Sequence, residues 1–129
     1  ILARLGDEGL FRVVMIHHPP LPGLAKPTRA LRDAQALARM LAREGAELIV
    51  FGHNHRAMRT HAAGPDGPIP VVGVPSASAT PPLHDPPARW NLFRIDRNAG
   101  RFRIELTGRQ VSPAGDAMVE AERVVLTAG

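Results

Sequence analysis

The sequence contains no cysteine, few aromatic residues and no long apolar run, and each shortage narrows what the chain can be. Without cysteine there is no disulfide scaffold and no thiolate zinc site, and a reducing compartment is allowed. Aromatics make up 4% against 44% apolar residues overall, so a core must be assembled from Val, Leu, Ile and Ala. No apolar segment approaches the length of a membrane span, and residues 1–10 lack the charged start and apolar middle of a signal peptide. A soluble, cytoplasmic protein without membrane contact is expected. Runs of like charge are missing too. The net charge of +4 is carried almost wholly by arginines that stand singly among acids, as at Arg29, Arg32, Asp33 and Arg39. No aromatic stacking platform accompanies them, so nucleic acid is not the expected partner.

At 129 residues the chain has the length of one domain. Residues 1–5 read as the last turn of a helix closed by Gly6 and Gly9, as though the chain were cut from something longer. Residues 11–16 form an apolar, β-branched run that predicts a buried strand, ending in His17-His18-Pro19-Pro20. The prolines cannot continue a ladder and force an extended loop. Thr28 is a candidate N-cap, and Leu31, Ala34, Leu37, Ala38 and Leu41 recur at helical spacing up to Gly45. Residues 47–51 predict a second buried strand, which runs into Gly52-His53-Asn54-His55. Strand, helix, strand is a βαβ unit with parallel strands.

That topology puts both histidine clusters at the C-terminal ends of their strands, the edge where open α/β sheets bind ligands. Adjacent strands lie about 4.8 Å apart, so His17 or His18 would stand beside His53 and His55. Residues i and i+2 of a strand share a face, so His53 and His55 are expected to present both imidazoles to one cavity, with Asn54 turned away and Gly52 easing the bend. Converging imidazoles make a metal site for zinc, iron, copper or nickel. Beyond His55, residues 56–62, 69–74, 90–95, 101–107 and 119–126 read as strands joined by short turns. They predict an antiparallel sheet whose clearest hairpin is at Asn98-Ala99-Gly100. The small-residue loop Val74-Pro75-Ser76-Ala77-Ser78 either returns to the metal edge or simply packs tightly. His61 reads as a surface residue, Trp90 as core, and His84-Asp85 as a proline-flanked loop or a lid over substrate.

With its blocks in this order, the chain resembles the calcineurin-like metallophosphoesterases. The carriers are the apolar strand ending in His17-His18-Pro19-Pro20 and the run Gly52-His53-Asn54-His55, which is similar to the family's Gly-His-x-His. The intervening helix and the later strand turning into Val74-Pro75-Ser76 fall in the same order. The branch it most resembles is the bacterial one that includes class III cyclic-nucleotide phosphodiesterases. The resemblance implies an α/β fold, a four-layer α/β/β/α sandwich of which residues 1–129 would be the C-terminal half: one βαβ unit followed by mostly antiparallel strands.

The resemblance also implies two divalent metal ions of the Mn, Fe or Zn type. His17 and His53 would ligate one and His55 the other. His17 is chosen over His18 because relatives often carry another residue at the second position. His18 would then be a neighbour that could face substrate, and Arg56 either a phosphate contact or an exposed arginine without a role, with a phosphoester small molecule or nucleotide as the substrate, hydrolysed by a hydroxide activated between the two metals. The family's Asp-x-His, Gly-Asp-x-x-Asp and Gly-Asn-His blocks do not occur here. Gly6-Asp7-Glu8-Gly9-Leu10 has no second aspartate in register, and Gly115-Asp116 is followed three residues on by Val119. The expected partner is therefore the missing N-terminal half with its aspartate ligands. The isolated chain is expected to be inactive, and its open sheet edge to dimerise, swap or aggregate. The alternative is a catalytically incompetent fragment or a His-metal binding and interaction domain. A metallo-β-lactamase-type hydrolase needs an Asp-His pair just after its His-x-His, where this chain has Arg56-Ala57-Met58.

Overall fold

Two short apolar runs, Val13–Ile16 (β1) and Leu48–Phe51 (β2), pair in parallel in the computed structural model, which describes residues 1–79 and 86–128. The connection between them carries the three-residue 3-10 turn Pro27–Arg29 and the helix α2, Ala34–Glu44, while a short helix, α1 (Leu2–Asp7), precedes β1. The βαβ unit is thus present. Its helix is shorter than the sequence pattern predicts. Pro27 seeds the 3-10 turn, Ala30 returns to extended backbone, and α2 starts only after Asp33, so Thr28 is no N-cap and Asp33 caps without a side-chain hydrogen bond. Helical spacing still decides the buried face: Ala34 and Leu41 are buried, Leu37 and Met40 pack beside them, and Gln35, Arg39 and Arg43 face water. Gly45, at φ +75°, ends the helix by donating its N–H to the Leu41 carbonyl at 2.8 Å.

Two further strands complete the first sheet, β3 (Met58–Ala62) and β4 (Ile69–Gly73), in the order β1-β2-β4-β3. β3 and β4 pair antiparallel as expected, but β4 inserts beside β2 in parallel, so the strands after His55 do not form a purely antiparallel set. One face of this sheet, together with Leu41 and Ala46, forms a continuous core of Ile49, Phe51, Ala62, Ile69 and Val71. Full burial of each large member contributes about 1.5–3 kcal/mol. Gly73 sits opposite Phe51 in register, and a Cβ there would come within 2.7 Å of the Phe51 ring, so the aromatic ring fills the space the glycine leaves.

Arg12 anchors the lower end of the same sheet. Its guanidinium donates to both carboxylate oxygens of Glu47, at 2.7 Å and 3.0 Å, and to the carbonyls of Glu44 at 2.8 Å and Leu2 at 3.3 Å. One side chain therefore joins α1, the C-terminus of α2 and the entry to β2. The hydrogen bond and charge of Glu47 hold the guanidinium pKa above its ordinary value.

The chain divides into two compact units, Ile1–Gly73 and Val74–Gly129. The second contains a three-stranded antiparallel sheet of β5 (Arg89–Asn98), β6 (Arg101–Val111) and β7 (Met118–Ala128), in that order. The predicted hairpin is present: Asn98 pairs with Arg101 across Ala99 and Gly100, whose φ angles of +49° and +82° are those of a two-residue turn that follows strand twist. Along β6, Ile104 and Leu106 are buried, while Arg103 and Glu105 belong to a charged face with Asp96, Glu120 and Arg123. Trp90 lies opposite Arg109 on that face and is 43% exposed, so it is not core. Arg89 is buried instead. It crosses Gly108 of the central strand to pair with Glu122 and also donates to Asn91. His61 is exposed, as expected. His84 and Asp85 lie outside the described residues. Among the described residues no helix is long and apolar enough to cross a membrane.

Candidate metal centre

The register Ile16↔Phe51 brings the ends of β1 and β2 level, and the histidines follow directly. The ladder runs one step further, the Gly52 N–H donating to the His17 carbonyl at 3.2 Å. His17 and His18 then lead into Pro19 and Pro20, which are fully buried and fix the course of the loop. The three rings of His17, His18 and His53 meet. Their centroids are 5.1 Å apart for His17–His18 and for His17–His53, both edge-on, and 4.4 Å for His18–His53, tilted by 33°.

His17 Nε2 and His53 Nδ1 are 3.2 Å apart. Two nitrogens at that distance share one proton, or they flank one cation. Two Zn–N bonds of about 2.05 Å at the tetrahedral angle hold their nitrogens about 3.3 Å apart. The other ring nitrogen, His53 Nε2, is buried and has no hydrogen-bond partner among the described residues. Desolvation, with the charges of His18, His17, Arg29 and His55 following, lowers the His53 pKa below its ordinary value. A ring held neutral keeps the lone pair that a metal requires. The donor set therefore fits a divalent ion at His17 and His53. It does not complete one: among the described residues no three His, Cys, Asp or Glu side chains are grouped to hold a metal.

His53 and His55 do not continue the strand and do not share a strand face. β2 ends at Phe51, and both histidines have left-handed backbone, φ +64° and +52°. The bend falls on them and not on Gly52, where a Cβ would meet nothing closer than His17 at 3.9 Å. The Asn54 N–H donates to the Gly52 carbonyl at 2.7 Å, closing a three-residue turn around His53 in the rarer, strained form with a positive central φ. His55 emerges exposed, outside the three-ring contact. Arg56 is exposed as well. Asn54 turns inward, its Nδ2 donating to the Leu24 carbonyl at 2.7 Å and to the Met58 sulfur at 3.2 Å. The sequence carries no local signal for this contact, because its backbone partner Leu24 lies 30 positions away.

No protein-family model matches the sequence, and no curated protein matches it. Solved structures do. The chain aligns with Vps29 of Entamoeba histolytica complexed with zinc at 18% identity and a TM-score of 0.56, covering 92% of this chain and 57% of that one. A double mutant of the same protein, with an aspartate and a histidine replaced by alanine, aligns at 21% identity and a TM-score of 0.50, covering 81% and 52%. The chain shares the fold of part of that structure, a mixed α/β arrangement like that of metallophosphoesterases. At these identities the likeness is one of fold, and this chain spans little more than half the length of the structures it matches. Within that fold, the histidine cluster sits where β1 and β2 end together, at the sheet edge the βαβ topology predicted.

Proposed function

We propose that this chain supplies the histidine side of a metal-dependent phosphoesterase. His17 and His53 hold one divalent cation, and His55 reaches a second once carboxylate ligands arrive from polypeptide outside this sequence. The observation that carries the reading is the 3.2 Å approach of His17 Nε2 to His53 Nδ1 at the ends of two parallel strands. Paired divalent ions supply Lewis acidity and a nucleophile generated from water at neutral pH. The residues of this chain do the rest: His17 and His53 offer neutral nitrogens, Asn54 fixes their turn, and His18 and Arg56 face incoming phosphate. The metals fit the Mn, Fe or Zn class, and the substrate is a phosphate monoester or diester, cyclic nucleotides included. The isolated chain is proposed to be inactive for want of carboxylates.

The test is hydrolysis of bis(p-nitrophenyl) phosphate with added manganese, for this chain and for the full gene product. The full product should turn over, with His53→Ala reducing the rate at least 100-fold. Undiminished hydrolysis by His53→Ala would sink the site assignment. A second reading, a metal-binding interaction domain without catalysis, is favoured by the incomplete ligand set, since no three His, Cys, Asp or Glu side chains are grouped to hold a metal among the described residues. Cation binding without turnover by the full product would decide for it.

A further inference from the structure

The two loops that carry the histidines come from distant parts of the sequence, and one side chain ties them together. Asn54 lies on the loop after β2, between His53 and His55. Leu24, whose carbonyl takes the Asn54 Nδ2 hydrogen bond at 2.7 Å, lies on the loop after β1, downstream of His17, His18 and the two buried prolines. A carbonyl only accepts, so the atom facing it must be the amide nitrogen, and the orientation of the Asn54 side chain follows from its partner. The second N–H of the same group meets the Met58 sulfur at 3.2 Å, at the first residue of β3. Asn54 also closes the turn at its other side, its own N–H bonding the Gly52 carbonyl. A residue fixed at three points is thus inserted between two histidines that hold left-handed backbone. Such backbone persists only where its surroundings over-determine it.

We infer that Asn54 is the positioning residue of the histidine cluster: by clamping the second loop to the first, it sets the distance between His17 Nε2 and His53 Nδ1. The inference rests on the metal reading for its consequence but not for its geometry. Without the clamp, the turn around His53 relaxes toward ordinary negative φ and the imidazole swings away from His17. Asn54 touches no ligand and acts only through where it holds His53. Met58 contributes the weaker contact, since a thioether accepts poorly beside a carbonyl.

The test compares the wild-type chain with Asn54→Leu, which keeps the size and removes both donors, and with Met58→Leu, which removes only the sulfur. Two readouts are used. In metal-free protein, a nuclear Overhauser contact between the rings of His17 and His53 is expected in wild type and in Met58→Leu and is expected to vanish in Asn54→Leu. With Co2+ as the probe, affinity is expected to fall about tenfold in Asn54→Leu, a change of about 1.4 kcal/mol, and to stay within twofold in Met58→Leu. The thermal midpoint without metal is expected to move by no more than a few degrees. An Asn54→Leu chain that keeps both the ring contact and the Co2+ affinity overturns the inference. Should that variant fail to fold, the wild-type spectrum decides, because the clamp requires a contact between the Asn54 side-chain amide protons and Leu24, and its absence is equally fatal. A wild type that shows these contacts but binds no Co2+ leaves the clamp standing and overturns the metal reading instead.

Discussion

His53 and His55 hold backbone angles that an L side chain resists, and two measurements follow from that. Left-handed φ costs about 1–2 kcal/mol for a residue with a Cβ, although histidine is among the types that adopt it more readily. His55 is exposed, so changing it disturbs little else. His55→Gly should leave stability unchanged or raise it by up to about 1 kcal/mol, the relief being partly offset by the freer unfolded chain. His55→Val should lose more than about 1 kcal/mol, and urea unfolding distinguishes the two.

The second measurement is pH dependence. The folded His53 pKa lies below the ordinary 6.5, so as pH falls through that value the unfolded chain takes up the proton first and stability declines. Above about pH 7 both states are neutral and the group contributes no slope. Glu105 and Glu120 act lower down. The hydrogen bond and charge of Arg103 depress Glu105, and those of Arg123 depress Glu120, so their contribution is present above the ordinary 4.5 and disappears below it. In metal-free buffer the thermal midpoint should fall between pH 7 and pH 5, and His53→Gln should flatten that segment while leaving the loss below pH 4.5.

At the scale of elements, single glycines and arginines hold positions that the apolar pattern leaves open. Arg12→Ala removes the partner of a carboxylate whose side chain is only 20% exposed and strips the carbonyls of Glu44 and Leu2 of a donor. The loss should be about 3 kcal/mol by urea unfolding. Gly73→Ala pushes a methyl into the Phe51 ring and should cost about 1–3 kcal/mol as overpacking. Gly108→Ala would run into the Arg89 guanidinium and separate it from Glu122.

The strands and the parallel pairing of β1 with β2 were legible because β-branched runs bounded by glycine and proline leave few alternatives. From that pairing the approach of His17 or His18 to His53 followed, and both rings meet it. The start of α2 was not legible, since the sequence pattern does not reveal that Pro27 will form a separate turn. Nor was the turn at His53, because an alternating-face rule applies only while the strand continues, and β2 stops at Phe51. Trp90 misled for a related reason. Aromatic character argues for burial, but in β5 the position is set by strand alternation, and Arg89 holds the buried place beside it.

The whole molecule offers separate reporters for its two units. Among the described residues both α-helices belong to Ile1–Gly73, and the single tryptophan belongs to Val74–Gly129. Far-ultraviolet helical signal therefore follows the first unit, and Trp90 fluorescence follows the second. Arg12→Ala should lower the midpoint of the helical signal by several degrees and move the fluorescence midpoint less. Equal shifts would show that the chain melts as one cooperative block.

His17 and His53 are 36 positions apart, and their nitrogens meet only when β1, α2 and β2 are all in place. An ion seated between them would close that loop as a bond would. In a chain-entropy treatment, a permanent link across about 36 residues restricts the unfolded ensemble by roughly 4 kcal/mol. A metal link differs in being reversible, its strength rising with free ion concentration and vanishing with a chelator. The βαβ unit would then carry a removable staple, and the persistence of its fold would report the metal content of its surroundings.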